Sequence, residues 1–574
     1  MFLSAGNRWG CRCRERMRSI AACAALMVST VHGQGSVMLV GGGSESYGGW
    51  SDAPYAWFVG QADSGIIINV DVAAASDWYP PYFISFGADP TSHALQIPTR
   101  SAANNQAIYD DLVSARGIFL EGGDQWNYVA TWKGTLVEDA LHQVFAAGGA
   151  IGGTSAGCAV LGEVVFDAEH GTAYPQEVAY DPYAWSVTFT DDFLTVLPGV
   201  ITDSHFHTRG RLGRLVPFVA RRIQDFGDAG LVGIGVEENT AFCIDASRVG
   251  IVYGDCVAII APTEHSVVAC EPATPVTFTA IHFDQLLQGD EYDLLTLRLV
   301  NSGGFLLPVT GAAPPDPIYS DVILDGSSEL TGNLGEIRIT GMTYDPDAWW
   351  SGELGIVPGQ GVVPRSVIIP RLWSDIDLLG NRWVGGLYGI AVNPFFTAWY
   401  LDDGCRTHIM EPGMAVAGSL TYVVNTRSAS HCGVNTSNIP GILGASLHFL
   451  GPGDSLDLLS PQAVDDLAVS ELAPGSLVLS WSAPGDNMTV TGFLVYRHTL
   501  PYFLPTPTLV VATTTAQFWV DAGGVGDPSA HPCYRVTAVD AFGNESAPSN
   551  PVGAMSFPCT TQGQAPRRDM ATTR

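Results

Sequence analysis

Ala150-Ile151-Gly152-Gly153-Thr154-Ser155-Ala156-Gly157 is an apolar pair running into a glycine-rich turn, and its second half fits the pattern G-x-S-x-G. Glycines so placed permit a tight passage from strand to helix. The turn pushes the serine hydroxyl outward and aims the next backbone N–H at the point where an oxyanion would form. Taken alone, the pattern equally describes a glycine turn that packs a helix on a sheet. The flanking sequence gives it context. Residues 36–40, 65–72, 81–86 and 117–120 read as strands, the second rich in β-branched residues. Residues 101–115 and 136–147 have helical character, with Ser101 as a candidate cap. Alternating strands and helices predict an α/β layered domain around a mostly parallel sheet, with Ser155 on its nucleophile elbow.

A serine needs a base, and a base needs an orienting group. Asp203-Ser204-His205-Phe206-His207-Thr208-Arg209-Gly210-Arg211-Leu212-Gly213-Arg214 offers two histidines beside three arginines. Arginine forks suit carboxylates, so the cluster predicts an anion site; its plainer reading is a solvated helix start. Glu237-Glu238-Asn239-Thr240 follows the strand-like residues 231–236, and the ends of strands are where sites gather. The chain order serine, histidine, acid disfavours an α/β-hydrolase, whose acid precedes its histidine. Serine rather than cysteine at the elbow disfavours a glutamine amidotransferase.

These segments, together with Gly122-Gly123-Asp124-Gln125, resemble those of the cyanophycinase and aspartyl dipeptidase-like serine peptidases. Four motifs stand in the family's order, and the resemblance covers about residues 36–300. It implies a triad of Ser155, His205 and an acid, best matched by Glu238. It implies an oxyanion hole from the backbones of Gly123 and Ala156. It places Gln125, Asp203, Arg209, Arg211 and Arg214 in substrate recognition, with an aspartate-containing peptide or cyanophycin as substrate and no metal or other cofactor. Ser204 and Cys158 depart from the family, which usually has glutamine and alanine there; Ser204 bears on substrate choice. An aspartyl dipeptidase with another substrate is the nearest alternative. A non-catalytic secreted binding or surface protein on a peptidase scaffold is a further one.

The 574 residues carry a formal charge of −31, which excludes a nucleic-acid role resting on a basic surface. Lys133 is the single lysine. Arg12, Arg14, Arg16 and Arg18 precede an apolar run from Ser19 to Val31, so residues 1–33 predict an export signal too short to span a membrane. The protein is therefore expected to be secreted, extracellular or periplasmic, where disulfides are permitted. Cys405 with Cys432 and Cys533 with Cys559 are pairs suggested by proximity in sequence alone. No CxxC pair follows the signal, which argues against a structural zinc.

Beyond the first domain (34–300), an internal repeat emerges. Tyr180 to Trp185 recurs as Tyr344 to Trp349, Leu197-Pro198-Gly199 as Val357-Pro358-Gly359, Gly230 to Ile234 as Gly386 to Ile390, and Gly289 to Leu295 as Gly453 to Leu459. Residues 301–460 thus read as a strand-rich, diverged, non-catalytic half-repeat, with 335–460 copying 179–300. In it, Gly361 to Arg365 and Pro394 stand for His205 and Glu238. Residues 461–557 resemble a fibronectin type III β-sandwich on the strands around Trp481, Tyr496 and Tyr534. Residues 558–574 form a tail.

Overall fold

In sequence order the first domain runs β1 (Ser36–Val40), α1 (Asp52–Gln61), β2 (Ile67–Asp71), α2 (Tyr79–Ser85), β3 (His93–Gln96), α3 (Arg100–Ala103), α4 (Gln106–Ser114), β4 (Gly117–Leu120), α5 (Gln125–Trp132), α6 (Leu136–Ala146), β5 (Ala150–Thr154) and the single turn α7 (Ala156–Ala159). The computed structural model describes residues 35–310, 314–341, 354–374, 378–473, 476–506, 509–522 and 532–553. The expected export signal, the tail and the Tyr344 to Trp349 segment lie outside the described residues. Two readings of local structure change. Residues 81–85 belong to helix α2 and Phe86 follows its end, because Pro80 and Pro81 fit its first turn and Tyr79, Tyr82 and Phe83 bury one helical face. Residues 101–115 split into α3 and α4, capped by Thr99 and Asn105 rather than Ser101.

Strands β1 to β5 pair in parallel, in the order β1-β5-β4-β2-β3. Alternate side chains go to opposite faces. Met38, Val40, Ile67 and Phe119 pack with Tyr55 and Phe58 of α1 and Tyr82 and Phe83 of α2. Val37, Leu39, Ile68, Ile118 and Ile151 point the other way, into the main core with Leu112, Val137 and Leu141 from α4 and α6.

The chain then gives β6 (Gly162–Phe166), α8 (Pro175–Tyr180), β7 (Phe189–Thr190), β8 (Leu197–Asp203), α9 (Leu212–Phe226), β9 (Val232–Val236), β10 (Ala241–Ile244), β11 (Val249–Tyr253), β12 (Cys256–Ala261), β13 (Val267–Ala269), β14 (Thr277–Leu287), β15 (Glu291–Asp293) and β16 (Arg298–Asn301). Here the expectation of a mostly parallel sheet needs correction. Strands β10, β11, β15 and β16 extend the first sheet beyond β1 entirely by antiparallel pairs. Strands linked by short turns can only pair that way, whereas parallel pairs need a crossover. The remaining strands build a second sheet, in which β6, β8 and β9 are parallel and β9, β12 and β14 antiparallel.

The half-repeat comprises β17 (Leu307–Pro308), β18 (Val322–Asp325), β19 (Gly335–Thr340), β20 (Gly355–Pro358), β21 (Val363–Ile369), α10 (Trp383–Ala391), β22 (Thr397–Leu401), β23 (Arg406–Met410), β24 (Met414–Ala417), β25 (Thr421–Asn425), β26 (His431–Val434), β27 (Pro440–Leu450) and β28 (Ser455–Asp457). Its strand order repeats that of the first unit. The second sheet reads β20-β19-β21-β22-β25-β27-β14-β12-β9-β8-β6-β7, the same from either end if each strand is exchanged for its counterpart. The smaller sheet β18-β23-β24-β28 likewise repeats β1-β10-β11-β15. The halves meet where β14 and β27, eleven residues each, pair antiparallel. A six-residue 3-10 helix, Glu329–Leu334, joins β18 to β19, in place of everything between β1 and β6 in the first half, Ser155 included.

This topology corrects four of the repeat alignments. Gly230 to Ile234 enters strand β9 whereas Gly386 to Ile390 is helical, and Val357-Pro358 belongs to β20, the counterpart of β7 and not of β8. After β21, Arg371 occupies the place of His205. Both have positive φ, 50° and 47°. The Arg371 amide donates to Gly326 O as the His205 amide does to Gly41 O, and the following amides, Leu372 and Phe206, donate to Leu401 O and Val236 O. Asp402 and Asp403, following β22, stand for Glu237 and Glu238, so the acid's place is not held by Pro394.

Strands β29 (Ala468–Ala473), β30 (Ser476–Ser480), β31 (Val490–His498), β32 (Val510–Thr514), β33 (Phe518–Asp521), β34 (Cys533–Asp540) and β35 (Val552–Gly553) form two sheets, β29-β30-β33 and β32-β31-β34-β35. They enclose Leu477, Leu479, Trp481, Phe493, Val495, Tyr534 and Val536. The suggested Cys405–Cys432 bridge is absent: both are buried free thiols, Cys405 in the core of the smaller sheet and Cys432 in the main core. Cys559, the suggested partner of Cys533, lies outside the described residues. No helix among the described residues is long and apolar enough to cross a membrane.

Candidate active site

Ser155 sits between β5 and α7 with φ 54° and ψ −112°, a conformation costly for a residue bearing a Cβ. The turn is held tight by the close approach of its neighbours. A Cβ at Gly157 would lie 2.2 Å from Leu120 O, so only glycine lets α7 pack against the end of β4. Cys158, one residue on, is fully buried and its thiol is pushed far up by burial, so it has no nucleophilic character.

The Ser155 hydroxyl lies 2.8 Å from His205 Nε2, and His205 Nδ1 lies 2.5 Å from Glu238 Oε1. With Nδ1 donating to the carboxylate, Nε2 is left to accept the serine proton. His205 follows the end of β8, and its ring rests against the β1 turn: a Cβ at Gly42 would lie 2.3 Å from its Cε1. Burial lowers the His205 pKa below the usual histidine value. The Glu238 bond opposes this, while the charges of Arg209 and Arg211 reinforce it. Glu238 is held below the usual carboxylate range, chiefly by its hydrogen bond from His205. His207 is elsewhere: it is 1% exposed, and burial takes its pKa down to about 4. The neighbouring Glu237, fully buried and shifted upward by that burial, accepts the backbone N–H groups of His207 and Thr208 and the Thr208 hydroxyl. It anchors the loop that carries His205, a role that its place in the motif did not reveal.

A cavity of about 270 Å³ opens on Ser155, lined by Gly123, Gln125, Ala156, Ser204, Arg209 and Arg211 among others. Neither the Gly123 nor the Ala156 N–H donates a hydrogen bond to another described residue, so both are available to an oxyanion. Gln125 opens α5 behind the Asp124 cap and donates to Phe166 O at 3.3 Å.

The expected substrate-binding set divides in two. Asp203, 3% exposed, does not line the cavity. Its carboxylate takes both forks of Arg214, Nε at 2.7 Å and Nη2 at 2.7 Å, and Nη1 of Arg211 at 2.8 Å. Burial would raise its pKa, but the two arginines outweigh that and hold it below the usual range. Asp203 therefore builds the arginine cluster and is not in a position to touch substrate. Arg214 is 2% exposed and spends its remaining Nη1 on Ala173 O; it borders the cavity as a strut. Arg211 also donates to Ser204 O and Oγ, whereas the Arg209 guanidinium makes no hydrogen bond or ion pair with a described residue, only its backbone N–H donating, to His205 O. Arg211 and Arg214 share the Asp203 carboxylate, Arg209 pairs with none, and Asp124 is the one carboxylate in the lining, which leaves a positive excess on the arginine side of the cavity. Thr172, from the loop after β6, completes the lining; no motif in the sequence marked it.

Residues 91–252 match the profile described as Peptidase family S51. A cyanophycinase of Synechococcus elongatus is 30% identical over 207 residues, 35% of this chain and 60% of that protein. One of Geminocystis herdmanii is 25% identical over 276 residues, 46% of this chain and 94% of its own length. The chain thus spans about 60% of the length of the first curated relatives it matches. Among solved structures, a peptidase from an acI-B1 Actinobacterium is 18% identical, with a TM-score of 0.28, covering 46% of this chain and 98% of that one.

Proposed function

We propose, from the match of residues 91–252 to peptidase family S51, that the protein is a secreted serine peptidase that cleaves aspartyl peptides, cyanophycin among them, through an acyl-enzyme on Ser155. The observation that carries this is the continuous relay from the Ser155 hydroxyl through His205 to Glu238, at 2.8 Å and 2.5 Å. In the proposed reaction His205 Nε2 takes the hydroxyl proton as Ser155 Oγ attacks the scissile carbonyl carbon. The Gly123 and Ala156 N–H groups hold the oxyanion, and Glu238 stabilises the imidazolium. His205 then protonates the leaving amine, and the acyl-enzyme remains. Water, deprotonated by the same imidazole, releases the acid and regenerates the serine. The positive cavity supports a substrate carboxylate beside the scissile bond. Arg209, with no partner of its own, is the group best placed to meet it.

Incubating the purified protein with cyanophycin and with a panel of aspartyl dipeptides, alongside Ser155→Ala, tests the reading. Equal hydrolysis by parent and variant would overturn it. Arg209→Ala is expected to lower kcat/KM for acidic substrates by roughly 10- to 100-fold, the worth of a charge-assisted hydrogen bond of about 1.5–3 kcal/mol, and to leave the melting temperature near that of the parent. Equal losses on acidic and neutral substrates would remove Arg209 from recognition.

The base works only when neutral. Because the His205 pKa is lowered in the free enzyme, the acid limb of kcat/KM is expected to fall below the ordinary histidine value of about 6.5. Activity is present above that midpoint and lost as pH drops through it. A pH–rate profile with its acid midpoint above about 7 would contradict the proposed environment of His205. In the half-repeat the nucleophile is missing and Arg371 replaces the histidine, so Arg371→Ala and Asp403→Ala are expected to leave the rate unchanged.

We further propose that the last two sheets form a fibronectin type III-like module that spaces or attaches the enzyme outside the cell.

A further inference from the structure

Far from Ser155, where the half-repeat meets the C-terminal sandwich, three carboxylates converge. Asp457 ends β28, Asp540 ends β34, and Asp486 lies in the loop between β30 and β31. One oxygen from each lies within 4.8 Å of the other two. Asp457 is 1% exposed and Asp540 fully buried. Like charges this close repel, and burial removes the water that would shield them. The neighbouring groups answer this only in part. Asn487 Nδ2 donates to Asp457 Oδ1, and Asn544 Nδ2 to Asp540 Oδ2. Arg427, the nearest cation, gives its hydrogen bonds to Leu458 O and Asp316. Asp457 Oδ2 and Asp486 Oδ2 are buried and accept no hydrogen bond at all.

We propose that these three aspartates bind a calcium ion that fastens the sandwich to the half-repeat. The donor set is all oxygen and fully anionic, as a hard divalent cation requires, and it holds no nitrogen or sulfur that would favour zinc. The spacing fits: two oxygens on opposite sides of one calcium, each at about 2.4 Å, are about 4.8 Å apart. The unpartnered Asp457 Oδ2 and Asp486 Oδ2 gain a ligand, and the repulsion among the three becomes attraction to a common centre. Burial raises the pKa of each of the three, and in Asp486 the charges of Asp540 and Asp457 add to it. This is the mark of a cluster short of positive charge. Asp293 holds the place of Asp457 in the first half. Both cap their own turn through Oδ1, which accepts the Leu295 amide in one and the Leu459 amide in the other, but Asp293 Oδ2 also takes the Thr296 hydroxyl where Asp457 Oδ2 accepts nothing, so the ion site is peculiar to the copy that carries the sandwich.

The full-length protein, stripped with EGTA and titrated with CaCl2, tests this without reference to peptidase activity. Calorimetry is expected to show one calcium per chain with a Kd between about 10⁻⁵ and 10⁻³ M, and the melting temperature is expected to rise with calcium. Asp486→Asn is the variant to use, because Asp540 Oδ1 also holds the Phe542 and Asn544 amides of its own turn. It should weaken calcium binding by about tenfold or more, yet melt like the parent in EGTA. No binding by the parent up to about 10 mM calcium, well above the weakest extracellular range, would overturn the proposal; so would an equal calcium response in a folded Asp486→Asn. Should that variant fail to fold, the parent titration decides alone.

Discussion

Ser155→Ala is expected to lower kcat/KM on aspartyl substrates by a factor on the order of 10⁶, about 8 kcal/mol of transition-state stabilisation. The relay explains both the size and the pattern. Without the hydroxyl, His205 has no proton to take, and only the oxyanion hole and the positive cavity remain to favour attack by water. His205→Ala should cost nearly as much, and the double variant no more than either single one, because the two act as a unit. Glu238→Gln should cost less, about 10⁴-fold, by favouring the wrong tautomer of His205. A measurement in which the single losses multiply in the double variant would show that Ser155 and His205 act independently, contrary to the 2.8 Å contact between them.

The second large effect is on stability. Arg214→Met is expected to destabilise the first domain by about 3–5 kcal/mol, the usual result of breaking a buried ion pair by removing one partner. Asp203 would keep only Arg211, at 2.8 Å, and the Ser204 N–H, at 3.0 Å, and would lose two charge-assisted bonds that it cannot replace from water. Ala173 O would lose its donor as well. Asp203→Ala should be as damaging, since it leaves the buried Arg214 guanidinium unpaired beside that of Arg211 at the cavity wall. Chemical denaturation checks this. A loss below about 1 kcal/mol for both variants, the worth of an exposed pair, would show that the trio is hydrated in solution.

Much of the site could be read from the sequence, for a physical reason. A serine elbow must carry glycines where backbones cross, and the base and acid must follow strand ends, so Gly153 to Gly157, His205 and Glu238 leave local marks. Asp203 left a misleading one. In sequence it is one more polar residue beside a base. That it is buried follows only from α9, whose Arg214 lies over the end of β8, and such packing has no local signature. The same holds for residues 81–85, whose aromatics suit a strand by propensity but bury a helical face against β4. The half-repeat was legible in composition and misread in register. Gly-Leu-x-Gly-Ile serves a buried strand at 230 and a buried helix at 386 equally well, because small and branched apolar residues fill either kind of core. Only the pairing of β14 with β27 fixes the true correspondence.

That pairing also decides how the enzyme behaves on dilution. Two separate copies joined along such a strand would form a symmetric dimer, and at low concentration they would part and bare a long, flat edge to any passing chain. Here the partner is covalently attached, so its effective concentration stays high however thin the solution. With the secretion proposed above, specific activity is expected to stay constant in unlimited volume, where that of a dissociable dimer would fall.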